Sequence, residues 1–376
     1  MKKILLVTNM YPSKYNPEYG VFVKNTEDLL KDSGYVVSHS VVTKSNVRLF
    51  KIFKYLYCYL KTILLVMIIK FDCIYIHYIT HTIYPIKLLK WFYKDLLIIG
   101  NAHGEDICQN DPRYRKNHCK AVTALQFIDY LIVPSSYFKE YVIKKYNYPE
   151  TQIIEFPSGG VNEKYFFPRD RIEACRKMQI SPNFYYVGFI SRIVKDKGWD
   201  IFLEAINILR MDDSMKDVRF IIAGNGDEEK LMEKRIKELN LSKWIIRYPA
   251  LSQEKLGFVM NCLETFCFPT RRESESLGLV ALEAMRCGVI CIISNSSTGP
   301  STYTRNNDNA ITFLADDPCD LAKKIKLVYL MKDNEREKIR KNAIETGKEY
   351  GSQRQKEKLE DVFSKIISGC KELIKI

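Results

Sequence analysis

No Cys-x2-Cys pair occurs in this sequence, and its eleven cysteines are scattered from Cys58 to Cys370 without the spacing of zinc ligands. A zinc module is thereby excluded, and buried thiols in a reducing compartment are expected. A Gly-x-Gly-x-x-Gly turn is missing after the first apolar run, where residues 6–12 read Leu-Val-Thr-Asn-Met-Tyr-Pro. This argues against a dinucleotide-dependent oxidoreductase. Long hydrophobic runs are missing too. Ile4–Val7 is too short for the core of an export signal, and Thr62–Ile69 falls short of the roughly 20 residues a membrane span needs. The sequence contains no fixed-period repeat and no low-complexity tract, so a solenoid is excluded.

What is present fits a soluble globular protein of two domains. The 376 residues are 46% apolar, 27% charged and 12% aromatic, and single cores rarely grow past about 250–300 residues. Lys and Arg exceed Asp and Glu by 58 − 45 = +13, a balance that suits nucleic acid, anionic lipid or a phosphorylated substrate. Residues 44–95 carry nine basic side chains against two acidic ones, Asp72 and Asp95, which is over half of the excess.

Short β-branched or aromatic runs alternate with helical patterns. The first series is Lys3–Val7, Val36–Thr43, Cys73–Tyr78, Leu96–Ala102, Tyr130–Val133 and Ile153–Phe156. The second is Phe184–Ile190, Val218–Ala223, Trp244–Arg247, Thr265–Phe268, Val289–Ser294 and Ala310–Phe313. Strands alternating with helices predict an α/β fold with parallel sheets and ligands beyond the carboxyl ends of the strands. The turn-rich stretch Pro157–Pro168 separates the two series and sets a domain boundary, giving domains over 1–165 and 166–345 and a helical tail over 346–376. On that tail Leu359, Val362, Phe363, Ile366 and Ile367 share one face, and no strand follows for them to pack on.

On a helical wheel of Lys44–Met67, Leu49, Phe53, Leu56, Leu60, Ile63 and Met67 fall in one narrow sector, with Lys44, Arg48, Lys51, Lys54 and Lys61 on the other side. Two readings follow for this basic amphipathic helix. Its apolar stripe packs on the first sheet while the lysines sit in water, or its basic face also meets an anionic membrane surface.

The chemistry concentrates in two segments. Residues 270–285 read Thr-Arg-Arg-Glu-Ser-Glu-Ser-Leu-Gly-Leu-Val-Ala-Leu-Glu-Ala-Met after a strand and into a helix. Ser276 is placed to cap the first turn, and Gly278 lets backbone approach a ligand. The amides of Leu277, Gly278 and Leu279 at the positive end of the helix dipole would then hold an anion. Glu275, just ahead of the helix, suits sugar hydroxyls, and Glu283, inside it, suits a ribose. The other segment, Val187–Gly198, carries Arg192 and Lys197 on a strand-to-helix loop. Two fixed cations there would stabilise the charge that develops on a departing diphosphate, without a metal. Arg offers a planar fork and Lys a point charge.

The pairing of Gly-x3-Arg-x4-Lys-Gly (188–198) with Glu-Ser-Leu-Gly-Leu-Val-x-Leu-Glu-Ala-Met (275–285) resembles the retaining glycosyltransferases of family 4. Phe156–Asn162, Ile222–Gly226 and Ala284–Gly288 are similar to further segments of that family. The resemblance implies the GT-B fold, two Rossmann-like domains facing each other across a cleft, with the C-terminal helix crossing back to the N-terminal domain. It further implies that Arg192 and Lys197 bind the donor diphosphate, Glu283 the ribose and Glu275 the transferred sugar. His103, in Ala102-His-Gly-Glu-Asp106, corresponds to an acceptor-side histidine, and Gly20 to a loop glycine near donor and acceptor. The chain departs from the family in having one glycine at 20 rather than two adjacent ones, and Leu277 in place of Phe.

The resemblance thus implies transfer of a hexose or N-acetylhexosamine from a UDP- or GDP-sugar to a saccharide acceptor with retained configuration. The expected enzyme needs no metal and no cofactor beyond the donor, and it binds no nucleic acid. The helix at 44–67 points to a lipid-linked acceptor, as in assembly of capsule, exopolysaccharide or O-antigen, and to a cytoplasmic protein peripheral on the inner face of the plasma membrane. Retention is open between a double displacement through a carboxylate and a front-face route. A sugar-nucleotide epimerase or phosphorylase on the same fold, and a non-catalytic or nucleic-acid-binding protein, are the alternatives. Retention of Arg192, Lys197 and both glutamates argues against decay, and the basic residues match no recognised nucleic-acid motif. The oligomeric state is left open.

Overall fold

The computed structural model describes residues 1–16, 19–45, 47–108, 115–157 and 159–369, and of 115–118 the backbone only. Parts of the sequence readings at 17–18, 46, 158 and 370–376, Cys370 included, lie outside the described residues. The chain divides into a first unit, Met1–Gly160 with Ser352–Ile376, and a second, Val161–Gly351.

In the first unit, β1 (Lys3–Tyr11), α1 (Val21–Asp32), β2 (Val36–Thr43), α2 (Arg48–Ile68), β3 (Cys73–His77), α3 (Ile79–Phe92), β4 (Ile98–Asn101), α4 (Arg115–Leu125), β5 (Tyr130–Val133), α5 (Ser136–Tyr146) and β6 (Ile153–Glu155) alternate. Their strands form one parallel sheet in the order β2-β1-β3-β4-β5-β6. Ile4–Val7 and all of β3 are buried, because a parallel sheet is covered on both faces and its central strands read as continuous apolar runs.

The second unit runs α6 (Arg171–Lys177), β7 (Tyr185–Ile190), α7 (Trp199–Leu209), β8 (Val218–Ala223), α8 (Glu229–Glu238), β9 (Ile245–Tyr248), α9 (Gln253–Cys262), β10 (Thr265–Phe268), α10 (Leu279–Arg286), β11 (Ile290–Ser294), β12 (Ile311–Phe313), α11 (Pro318–Leu330) and α12 (Asp333–Glu349). Its parallel sheet has the order β12-β11-β10-β7-β8-β9. The order in which strands are added therefore reverses between β7 and β10, and ligands of doubly wound sheets bind outside the carboxyl ends of the strands at such a switch point. The last helix, α13 (Ser352–Ile367), belongs to the first unit. Its Leu359, Val362, Phe363 and Ile366 pack with Ile4, Leu6 and Tyr75 of that unit's sheet.

Two expectations are corrected. Most of the apolar sector of α2 does not pack on the sheet: Leu49, Phe53, Leu56, Leu60 and Met67 are 52–67% exposed, while Ile63 is partly buried against the core of the first unit. The helix rests instead on Cys58, Thr62 and Val66, with Ser40 of β2 donating a 2.8 Å hydrogen bond to the Cys58 carbonyl. Most described cysteines are buried, but Cys119 and Cys319 are exposed. Among the described residues, no helix is long and apolar enough to cross a membrane.

Candidate active site

In the second unit the loops after β7 and β10 are stitched together at the switch point. The Arg271 amide donates to the Asp196 carbonyl at 3.0 Å, and the Arg271 guanidinium donates to the Lys195 carbonyl at 3.2 Å. Arg272 lies 3.4 Å from the Asp196 carboxylate. Gly198 closes the short 3-10 turn Lys195–Lys197 with φ 79 and starts α7. A Cβ there would lie 2.0 Å from the Pro269 carbonyl oxygen, so only glycine lets the two loops approach this closely.

That approach brings Lys197 and Glu275, 78 residues apart, into a buried ion pair. Thr270 Oγ1 adds a 3.3 Å hydrogen bond to the same carboxylate. Burial by itself would raise the Glu275 carboxyl, but the Lys197 ammonium, its hydrogen bond and the Arg272 charge outweigh it and hold Glu275 below the usual range. Burial pulls Lys197 down against the attraction of Glu275, and the nearby charges of Arg272 and Arg192 add to that pull. Arg192 is exposed on the same loop.

Gly278, at φ 73, is the N-cap of α10. The first amides of any helix have no intrahelical partner, so Leu279 heads a turn open to an anion. The segment ahead of it is pinned by Gly299 N donating to Glu275 O at 2.9 Å and Tyr303 OH donating to Gly278 O at 3.2 Å. Leu277 is buried, and the side chains of Ser276 and Leu279 are partly exposed. Glu283 is 7% exposed, and burial pushes its carboxyl up to about 8. A buried carboxyl with no compensating cation is costly to ionise, which marks it as a group waiting for hydrogen-bond donors.

In the first unit, Gly20 is the left-handed N-cap of α1, with the Met10 carbonyl where a Cβ would stand. His103 follows β4. Its Nε2 is 2.9 Å from Nδ1 of His77, and its ring stacks on Tyr78 at 5.0 Å. Burial pushes His103 down to about 3 and His77 well below its ordinary value, so both rings are neutral at pH 7. The loop is fixed by buried Asp106, which accepts hydrogen bonds from the amides of His103 at 2.9 Å, Gly104 at 3.1 Å and Ile79 at 3.1 Å. Burial pushes Asp106 up to about 6 against those donors. Sequence reasoning missed His77 and the role of Asp106. The signals were a histidine closing an otherwise apolar strand and a carboxylate three residues after His103. Among the described residues no cluster of His, Cys, Asp and Glu suits a metal ion.

Two parallel six-stranded α/β units with these loops define a protein of the GT-B type. Residues 170–346 match the family described as Glycosyl transferases group 1. The chain is 28% identical over 137 residues to D-inositol 3-phosphate glycosyltransferase of Pseudarthrobacter chlorophenolicus, covering 36% of this chain and 32% of that one. It is 30% identical over 125 residues to 2-deoxystreptamine N-acetyl-D-glucosaminyltransferase of Niallia circulans, covering 33% and 31%. The match thus spans about a third of the length of these curated relatives. Among solved structures, sucrose-phosphate synthase from Thermosynechococcus elongatus superposes with a TM-score of 0.82 at 14% identity, over 98% of this chain and 100% of the other. Anabaena HepE in complex with UDP and glucose superposes with a TM-score of 0.77 at 15% identity, over 97% and 100%.

Proposed function

We propose that the protein transfers a hexose or N-acetylhexosamine from a UDP- or GDP-sugar to a saccharide acceptor, retaining the anomeric configuration and requiring no metal. The observation that carries this reading is the meeting of Arg192, Lys197, Glu275 and the start of α10 at the switch point between β7 and β10. A donor diphosphate sits on the open amides at Leu279 and Gly278, with Arg192 and Lys197 neutralising the charge that grows as the glycosidic bond breaks. The diphosphate competes with Glu275 for Lys197, which frees the carboxylate to accept hydrogen bonds from the sugar. Glu283 takes the ribose hydroxyls. His103 and Gly20, in the first unit, serve the acceptor. The named activities of the relatives and the UDP and glucose bound to HepE support this assignment.

The acceptor is lipid-linked, in assembly of a bacterial surface polysaccharide, with the protein peripheral on the inner face of the plasma membrane. The basic stretch at 44–67 supports this part. Thermal-shift measurements against a panel of UDP- and GDP-sugars identify the donor, and transfer is then measured with Arg192→Ala and Lys197→Ala. Each variant loses about two to three powers of ten in rate; normal turnover in both refutes the assigned roles.

A further inference from the structure

The outer face of α2 is unusual for a helix on the surface of an α/β unit. Leu49 and Met67 each lie nine residues from buried Cys58, half a turn round the helix from it, where a water-facing helix is normally polar. Both are more than 60% exposed, as are Phe53 and Leu60. A second apolar element stands beside this face. Tyr55 and His81 rings are 6.5 Å apart, Tyr59 and Tyr84 rings are 6.0 Å apart, and Tyr59 OH donates to the His81 carbonyl at 2.7 Å. The helices α2 and α3 therefore run side by side in one direction, with an offset of 84 − 59 = 25 residues. That register sets Trp91 and Phe92, 75% and 69% exposed, next to the last turn of α2 at Val66–Ile68.

We infer that the outer face of α2 and the Trp91–Phe92 end of α3 form one docking surface for a bilayer carrying anionic lipid. In the bound state α2 lies in the plane of the interface with its apolar face at the headgroup–acyl boundary. The choice of occupant rests on charge. Exposed Lys70 and Lys94 follow α2 and α3 at the Trp91–Phe92 end of the face, and residues 44–95 hold nine basic side chains against two acidic ones. Anionic headgroups neutralise these cations, whereas a second copy of the chain would set like charges against each other. The inference deepens the membrane part of the proposed function and is independent of the sugar-transfer part.

Flotation of the whole protein with vesicles of phosphatidylcholine alone, and of phosphatidylcholine mixed with phosphatidylglycerol, tests it without any enzymatic assay. Wild type floats with the anionic vesicles only, and Trp91 emission shifts to the blue, a shift lost in Trp91→Phe. The double variant Phe53→Gln/Leu60→Gln, altered at exposed positions, partitions at least about tenfold more weakly. Lys70→Gln/Lys94→Gln weakens partitioning about thirtyfold, at about fivefold per cation removed, and added salt weakens the wild type likewise. Equal recovery with both vesicle types, or flotation of Phe53→Gln/Leu60→Gln at the wild-type level, overturns the inference. So does a dimer in analytical ultracentrifugation that this double variant converts to monomer, which assigns the face to a second copy.

Discussion

Replacing Glu283 by Gln should make the second unit more stable, and increasingly so as the pH rises. Glu283 is 7% exposed, and burial raises its carboxyl from an ordinary 4.5 to about 8. Between those values the native state holds a proton that the unfolded chain has released. Stability therefore falls with rising pH by about 1.4 kcal/mol per pH unit, from about pH 4.5 to about pH 8, and is level outside that window. The full cost to the wild type above pH 8 is about 5 kcal/mol. Gln is nearly the same size, cannot ionise and escapes this cost. Other titrating groups contribute equally to both proteins and cancel in the difference. Trp199 and Trp244 lie in the second unit and Trp91 in the first, so urea unfolding followed by tryptophan fluorescence in a Trp91→Phe background reports the second unit alone. The stability difference between the Gln variant and its parent should grow through pH 5, 6, 7 and 8, then stop growing. A difference independent of pH would refute the burial argument. The same carboxyl gives a binding signature: a ribose bound by the ionised form makes UDP or GDP affinity rise with pH up to about 8, and the Gln variant loses that dependence.

Two further perturbations address the framework. Phe363→Ala empties a fully buried site in which Phe363 meets Tyr75 edge-on at 5.2 Å; it should destabilise the first unit by about 3–5 kcal/mol, seen as faster hydrogen exchange in β1 and β3, and unchanged exchange there would show that α13 contributes nothing. Gly198→Ala sets a Cβ at φ 79 and 2.0 Å from the Pro269 carbonyl oxygen, so the two site loops must separate at a cost of at least about 1–3 kcal/mol; calorimetry should then detect no nucleotide binding, and wild-type affinity would refute the stitched-loop account.

The sequence by itself determined the element pattern. Runs such as Ile4–Val7 and Phe220–Ala223 are apolar without alternation, and that pattern has few homes outside a parallel sheet covered on both faces. The same applies to the local chemistry of 188–198 and 275–285, where glycines, cations and carboxylates stand at fixed distances around a strand-to-helix turn. Periodicity also showed that Leu49, Phe53, Leu56, Leu60 and Met67 share a side of α2.

Tertiary structure decided which side of each element meets what. A helical wheel tells which residues are neighbours but carries no information about which sector touches the sheet, so α2 was free to bury Cys58, Thr62 and Val66 and leave its most apolar face in solvent. Only the strand order, β10 beside β7, brought Glu275 to Lys197 across 78 residues of chain. Likewise, β3 beside β4 brought His77 to His103. Hydrogen bonds and charge pairs depend on distance in space, and separation along the chain does not encode it.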